Sequence, residues 1–232
     1  MSRKIRRPFF VINPKSYLYG EKTLSLAKKA DELAERYDLD VFFTAQHVEL
    51  SKIKEVAPHL IVTAQHMDGI TPGRGMGAIL PEGLKEAGVE ATFLNHIEHA
   101  MTVAELGEAI ERAREVGILS IVCADSPLET AAVAAMKPDI MVCEPAKLIG
   151  TGVTSGEAYM KESGGIVKQL SPDTLVLQAS GISTGEDVYN AIVNGGADGT
   201  GATSGIVAKP DPEAALEEMI LAIVKARDDI KE

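Results

Sequence analysis

The sequence predicts an α/β chain that folds as one domain, residues 1–232, into a closed (β/α)8 barrel. Three observations carry this expectation. Short β-rich apolar runs alternate with longer helical patterns through eight repeats. The runs lack polar alternation, as strands do when helices cover an all-parallel sheet. The length of 232 residues suits eight such units around one core. A doubly wound open sheet shares the alternation. Its dinucleotide-binding form needs a glycine-rich first turn, and Asn13-Pro14-Lys15-Ser16 is not one.

The first run is Phe9 to Asn13, followed by a helical pattern at about 21–37 in which Leu24, Ala27, Leu33 and Ala34 share a face. Val41 to Thr44 comes next, with a short amphipathic piece near 48–55. Leu60 to Thr63 leads into a glycine-rich loop over 68–77 and a helix near 81–87. Ala91 to Leu94 precedes a helix at about 102–116, and Leu119 to Cys123 one at 127–136. Ile140 to Cys143 is followed by a glycine-containing loop and a helix at about 156–169. Leu175 to Leu177 precedes a helix at 185–194. A weak run over 198–202 ends the barrel, and a helix at about 211–228 closes the chain. Asp211 suits the N-cap of that helix and Pro212 its first turn.

Composition removes several function classes. The formal net charge of −11 argues against a nucleic-acid partner, which selects basic surfaces. No apolar run reaches the ~18 residues of a membrane span. Met1 to Arg7 is basic, but no apolar stretch with a small-residue cleavage site follows, so the expected location is cytoplasmic. Cys123 and Cys143 both sit in apolar runs and read as buried reduced thiols. His47, His66, His96 and His99 match no zinc-ligand spacing, so no metal site is expected.

In a barrel, chemistry gathers at the C-terminal ends of the strands. Polar residues stand at those ends here: Asn13 and Lys15, Gln65-His66 and Asp68, Asn95-His96-Ile97-Glu98, and Glu144. Glycine-bearing loops follow the last three strands: Ile149-Gly150-Thr151-Gly152, Ser180-Gly181 and Thr203-Ser204-Gly205. Each feature alone has a plain explanation as a solvated lysine, a structural histidine or a turn glycine. Together on one rim they offer more. Lys15 supplies positive charge, His96 a hydrogen-bond donor and Glu144 a general base. The glycine loops can present backbone N–H groups to a phosphate. A base, an electrophile and a phosphate anchor suit proton abstraction beside a carbonyl in a small phosphorylated sugar.

The ordered motifs resemble the triosephosphate isomerase family, in particular its short archaeal branch. They are Asn13-x-Lys15, Ala64-Gln65-His66-x-Asp68 with Gly75-x-Gly77, Leu94-Asn95-His96-x-Glu98, Cys123-Ala124-Asp125, Glu144-Pro145 with Leu148 to Gly152, Gly181-Ile182 with Gly185 to Val188, and Ser204-Gly205-Ile206. The resemblance implies a (β/α)8 TIM barrel and a cofactor-independent aldose–ketose isomerase that interconverts glycerone phosphate and D-glyceraldehyde 3-phosphate. Glu144 would then be the base and His96 the electrophile. Lys15 and Asn13 would stabilise the enediolate and place the substrate, with Glu98 in support. Ile149 and Gly150 in a mobile lid over about 145–155, with Gly181, Thr203 and Ser204, would hold the phosphate. The resemblance further implies a neutral histidine held so by a helix N-terminus, and the short turn beginning near Ile97 would provide that helix end for His96. The resemblance also implies a homo-oligomer, dimer or tetramer, through the loop over 68–80.

Ile97 stands where the family usually has Ser, His99-Ala100 where it often has a basic pair, and Met76 where it often has Thr. Gln178-Ala179-Ser180 replaces a more glycine-rich turn. These departures leave two alternatives open: isomerisation of a related short ketose phosphate such as a tetrulose phosphate, and a noncatalytic phosphometabolite-binding paralogue.

Overall fold

The computed structural model describes residues 4–145 and 156–230. Eight parallel strands close into a barrel in chain order. They are β1 (Phe9–Ile12), β2 (Val41–Ala45), β3 (Ile61–Ala64), β4 (Ala91–Leu94), β5 (Leu119–Ala124), β6 (Ile140–Cys143), β7 (Leu175–Gln178) and β8 (Gly199–Ala202). The helices are α1 (Glu21–Tyr37), α2 (Leu50–Val56), α3 (Pro81–Glu86), α4 (Val103–Val116), α5 (Pro127–Ala134), α6 (Glu157–Leu170), α7 (Gly185–Val193), α8 (Ser204–Val207) and α9 (Pro212–Asp229). A single 3-10 turn, His47–Glu49, precedes α2.

The absence of polar alternation in the strands has a direct cause: both faces are covered. Side chains alternate across a strand. Phe9 and Val11 of β1 point into the barrel, where they join Phe42, Ile61, Phe93 and Ile121. Phe10 and Ile12 point outward into the layer between strands and helices, with Leu33, Val62 and Ile223. The rings of Phe9 and Phe42 meet inside at 5.3 Å between centroids. Burying side chains of this size contributes about 1.5–3 kcal/mol each.

The weak eighth run is weak for a packing reason. Phe9 lies opposite Gly199 in the register that closes the barrel. A Cβ on Gly199 would stand 2.4 Å from the Phe9 ring. The bulky aromatic on β1 therefore requires the missing side chain on β8, which lowers the β-propensity of that segment.

The caps of the later helices follow the sequence. Asp211 accepts the Ala214 N–H at 3.0 Å, and Pro212 opens α9. Thr102 with Glu105, and Thr184 with Asp187, form reciprocal capping boxes. The basic N-terminal stretch is absorbed by acids at the bottom of the barrel. Arg6 pairs with Asp40 at 2.8 Å and with Asp38, and Arg7 pairs with Asp198 at 2.9 Å. Cys123 and Cys143 are buried and free. Burial pushes both thiols up, Cys143 to about 11. Among the described residues no helix is long and apolar enough to cross a membrane.

One local feature differs from expectation: the four-residue helix α8 lies inside what reads as loop, because four residues are too few to show a helical period. The segment after His96 is the expected short turn, with the His99 N–H donating to the His96 carbonyl at 2.7 Å, and α4 begins at Val103, one residue from its expected start.

Candidate active site

A cleft of about 200 Å³ opens at the C-terminal end of the barrel. Lys15, His96 and Glu144 all line it, from the ends of β1, β4 and β6. Asn13, Glu98, Gly181, Thr203 and Ser204 line the same cleft. The closed strand order thus brings together polar residues that lie up to 191 positions apart in the chain. Ile149, Gly150 and most of the expected lid lie outside the described residues.

Lys15 is held in a demanding conformation. Its φ is 48°, in the left-handed region. For a residue with a Cβ this is uncommon and costs on the order of 1 kcal/mol. The turn is closed by the Tyr17 N–H donating to the Pro14 carbonyl at 3.0 Å. The Lys15 N–H donates to Asn13 Oδ1 at 3.0 Å, and Gln65 Nε2 donates to the Lys15 carbonyl at 2.9 Å. Both backbone polar groups of Lys15 are therefore fixed by the side chains that directly follow β1 and β3. The ammonium reaches Glu98 Oε1 at 2.8 Å. Lys15 keeps 17% of its side chain exposed and Glu98 61%. The Lys15 hydrogen bond is the main cause that holds Glu98 below its ordinary range.

His96 is oriented by its own turn. Its Nδ1 accepts the Glu98 N–H at 3.1 Å. That bond selects the neutral tautomer with the proton on Nε2. Burial lowers the affinity of His96 for a second proton, and the charge of Lys15 lowers it further. The imidazole is therefore a neutral donor. The expected short turn after His96 is present but is not a helix end, and burial with a nearby ammonium keeps the imidazole neutral in its place.

Glu144 follows β6 directly, and its N–H donates to the Ala124 carbonyl at 3.1 Å. Burial raises its proton affinity above the ordinary carboxylate range; Lys15 opposes this and Glu98 adds to it. A carboxylate of raised basicity in the same cleft as a neutral donor is suited to take a proton from carbon. Glu144 also borders a second cavity of about 140 Å³ that includes Ile97, Cys123 and Glu129. Ile97 is half-exposed there.

The loops after β7 and β8 form the remaining wall. Gly205 fits against the β7 loop so closely that a Cβ would lie 2.5 Å from the Ile182 carbonyl oxygen. This close approach sets the first turn of α8, with Ser204, beside Gly181. First-turn amide groups have no partner within the helix and suit an anion.

Beside this cleft runs a wider groove that includes His47, His66 and His99. The rings of His66 and His99 lie 4.0 Å apart, and His47 Nε2 is 2.8 Å from the His66 carbonyl. Among the described residues no group of three or more His, Cys, Asp or Glu side chains could hold a metal ion.

Sequence reasoning gave no role to Gln65, Asn95 or Glu129. Their work is to bond other residues, and the bonds of Gln65 to Lys15 and of Asn95 to Cys123 and Glu129 join positions 28 to 50 apart in the chain. One signal was available for Asn95: an amide side chain between an apolar strand and a histidine often marks a left-handed position, and Asn95 has φ 56°.

The family model described as triosephosphate isomerase matches residues 8–211. A triosephosphate isomerase of Methanothermus fervidus is 37% identical over 219 residues, 92% of this chain and 98% of that protein. Those of Sulfolobus acidocaldarius and Sulfurisphaera tokodaii are each 34% identical and cover 97% of this chain, with 98% and 99% of their own lengths matched. On barrel topology, matched length and identity together, the chain belongs to the triosephosphate isomerase family.

Proposed function

We propose that the cleft interconverts glycerone phosphate and D-glyceraldehyde 3-phosphate through an enediolate, without a cofactor. One observation carries this reading: Lys15, His96 and Glu144 line one small cleft that also includes the phosphate-ready loops after β7 and β8. Glu144 takes the proton from one carbon and returns it to the next. His96 donates through Nε2 to the substrate oxygens as charge develops on them. Lys15 neutralises that charge and draws the anionic substrate in. Asn13 and Glu98 act mainly through Lys15, one on its backbone and one on its ammonium. Gly181, Thr203 and Ser204 take the phosphate, with Ile149 and Gly150 completing the contact from the lid. Excluding water matters here because an exposed enediolate can eliminate phosphate.

Neither alternative gains support from the family match. The test is direct. Purified protein is assayed with glyceraldehyde 3-phosphate and, separately, with four-carbon ketose phosphates. The expected result is a kcat/KM for the triose at least about 100-fold above any tetrulose, since a pocket can discriminate by about that factor per added group. A preference for the four-carbon substrate overturns the assignment.

We further propose that the chain acts as one domain in the cytoplasm and as a homo-oligomer. The two free buried thiols fit a reducing compartment. Met76 is fully exposed on the loop after β3, and the groove beside Lys15 and Glu98 is of the size a loop could fill. Met76→Asp is expected to weaken association about 10-fold or more by placing a charge in a desolvated contact. Sedimentation equilibrium measures this; unchanged assembly in the variant rejects that loop as the contact.

A further inference from the structure

We propose that Asn95 is a positioning residue: its side chain locks the turn that aims His96 Nε2 at the substrate. The inference rests on the isomerase reading of the site and deepens it.

The geometry is unusually complete for one amide. Asn95 Nδ2 donates to the Cys123 carbonyl at 3.2 Å and to Glu129 Oε1 at 3.0 Å. Its Oδ1 accepts the Met101 N–H at 3.1 Å. Both amide hydrogens and the carbonyl oxygen are therefore engaged, on the end of β5, the first turn of α5 and the approach to α4. The bond to Met101 ties the two ends of the 95–101 loop together. Within that loop stand His96 and Glu98, the donor and the partner of Lys15.

Glu129 gives this brace a fixed anchor. Its other oxygen, Oε2, accepts the Asp125 N–H at 2.8 Å, and its own N–H donates to Ser126 Oγ at 3.3 Å. The carboxylate is thus set by the start of α5 and cannot follow a drifting loop. The sequence of contacts runs from the α5 cap through Glu129 to Asn95, and from there along the backbone to His96.

Few residues could replace Asn95. The backbone is left-handed at φ 56°, where asparagine and glycine are tolerated. The side chain must donate twice and accept once. Aspartate keeps the acceptor but sets a carboxylate against Glu129. Glycine keeps the backbone and loses all three bonds. Alanine loses the bonds and adds strain. The imidazole must stay within about 0.5 Å of its productive place, and an error near 1 Å costs on the order of 100-fold in rate.

The test compares Asn95→Gly and Asn95→Ala with the parent protein, labelled with [15N]histidine. Two readouts are taken: steady-state kinetics with triose phosphate, and the imidazole nitrogen shifts of His96. In the parent, His96 is expected to show a protonated Nε2 and an unprotonated, hydrogen-bonded Nδ1. In both variants kcat is expected to fall about 10- to 100-fold while KM moves less than about threefold. The two nitrogen shifts of His96 are expected to move toward each other as the tautomers mix. Glycine removes the strain of alanine, so parent-like kinetics in Asn95→Gly would trace the effect to the backbone and overturn the proposal. Unchanged His96 shifts in that variant would overturn it too, leaving Asn95 a brace for the rim alone. Should Asn95→Ala fail to fold, Asn95→Gly decides the matter by itself. Absent turnover in the parent would count against the isomerase reading, while the shifts would still decide the role of Asn95.

Discussion

Glu144→Gln is expected to lower kcat by about three to four orders of magnitude, the upper range of what one general base contributes. Glutamine keeps the shape of glutamate and its hydrogen-bonding reach but cannot take a proton. KM should change little, because the proposed role of Glu144 is on a carbon-bound proton and not on the phosphate. A variant that retained even a tenth of parental kcat would remove Glu144 from the role of base.

The same substitution has a second expected effect, on stability. Burial raises the folded-state proton affinity of Glu144 above the ordinary value of 4.5. The folded protein then binds more protons than the unfolded chain between that value and the raised one. Stability therefore falls as pH rises through this window. Below it the carboxyl is neutral in both states, and glutamine and protonated glutamate are near equivalents. Glu144→Gln should match the parent in thermal midpoint at acidic pH and exceed it at neutral pH. Equal midpoints at neutral pH would mean that the carboxylate is not held against a desolvation cost. For the parent, kcat/KM should decline on the acid side at a pH above 4.5, since the proposed base could not take a proton once protonated.

Much of this was legible in the sequence because barrel geometry makes local signals sufficient. Strands covered on both faces read as continuous apolar runs, and the polar residue that ends each run is the one the rim exposes. Phe9 to Ile12 followed by Asn13, and Ile140 to Cys143 followed by Glu144, show this directly. The barrel then does the rest, since eight parallel strands in chain order bring all such ends to one face. What stayed hidden depends on side chains meeting across elements. That Asn13 would bond the backbone of Lys15, that Gln65 would reach it from β3, and that Asn95 would span β5 and α5 cannot be inferred from period or composition. The cause of neutrality at His96 was hidden for the same reason. It rests on burial in the folded rim, on the Glu98 N–H and on a lysine 81 positions away, and the expected turn is not a helix end.

For Lys15→Met the expected loss in kcat/KM is about 1000-fold or more, shared between a higher KM and a lower kcat. In the proposed reaction two roles would disappear together: the ammonium would attract a substrate that already carries phosphate charge, and it would oppose the charge of the enediolate as that forms. Removing a single group that stabilises a developing oxyanion costs about 100- to 1000-fold in kcat, and lost attraction in the ground state adds to it. The electrostatics of the remaining groups should shift in known directions. Glu98 loses the hydrogen bond that chiefly holds its carboxyl low, so its proton affinity should rise. Glu144 loses a nearby positive charge that opposes the effect of its burial, so the acid limb of the residual activity should move to higher pH. Methionine matches the length of the lysine stem and leaves the turn held by Asn13 and Gln65 in place, so these effects report charge and not collapse of the loop. If KM alone rose and the acid limb stayed fixed, Lys15 would only attract substrate and would have no part in the proton transfer. If neither constant changed, the lysine would be an ordinary surface cation. Its strained backbone, fixed on both sides by side chains from two strands, argues against that outcome, since strain of this kind persists only where the surroundings hold it in place.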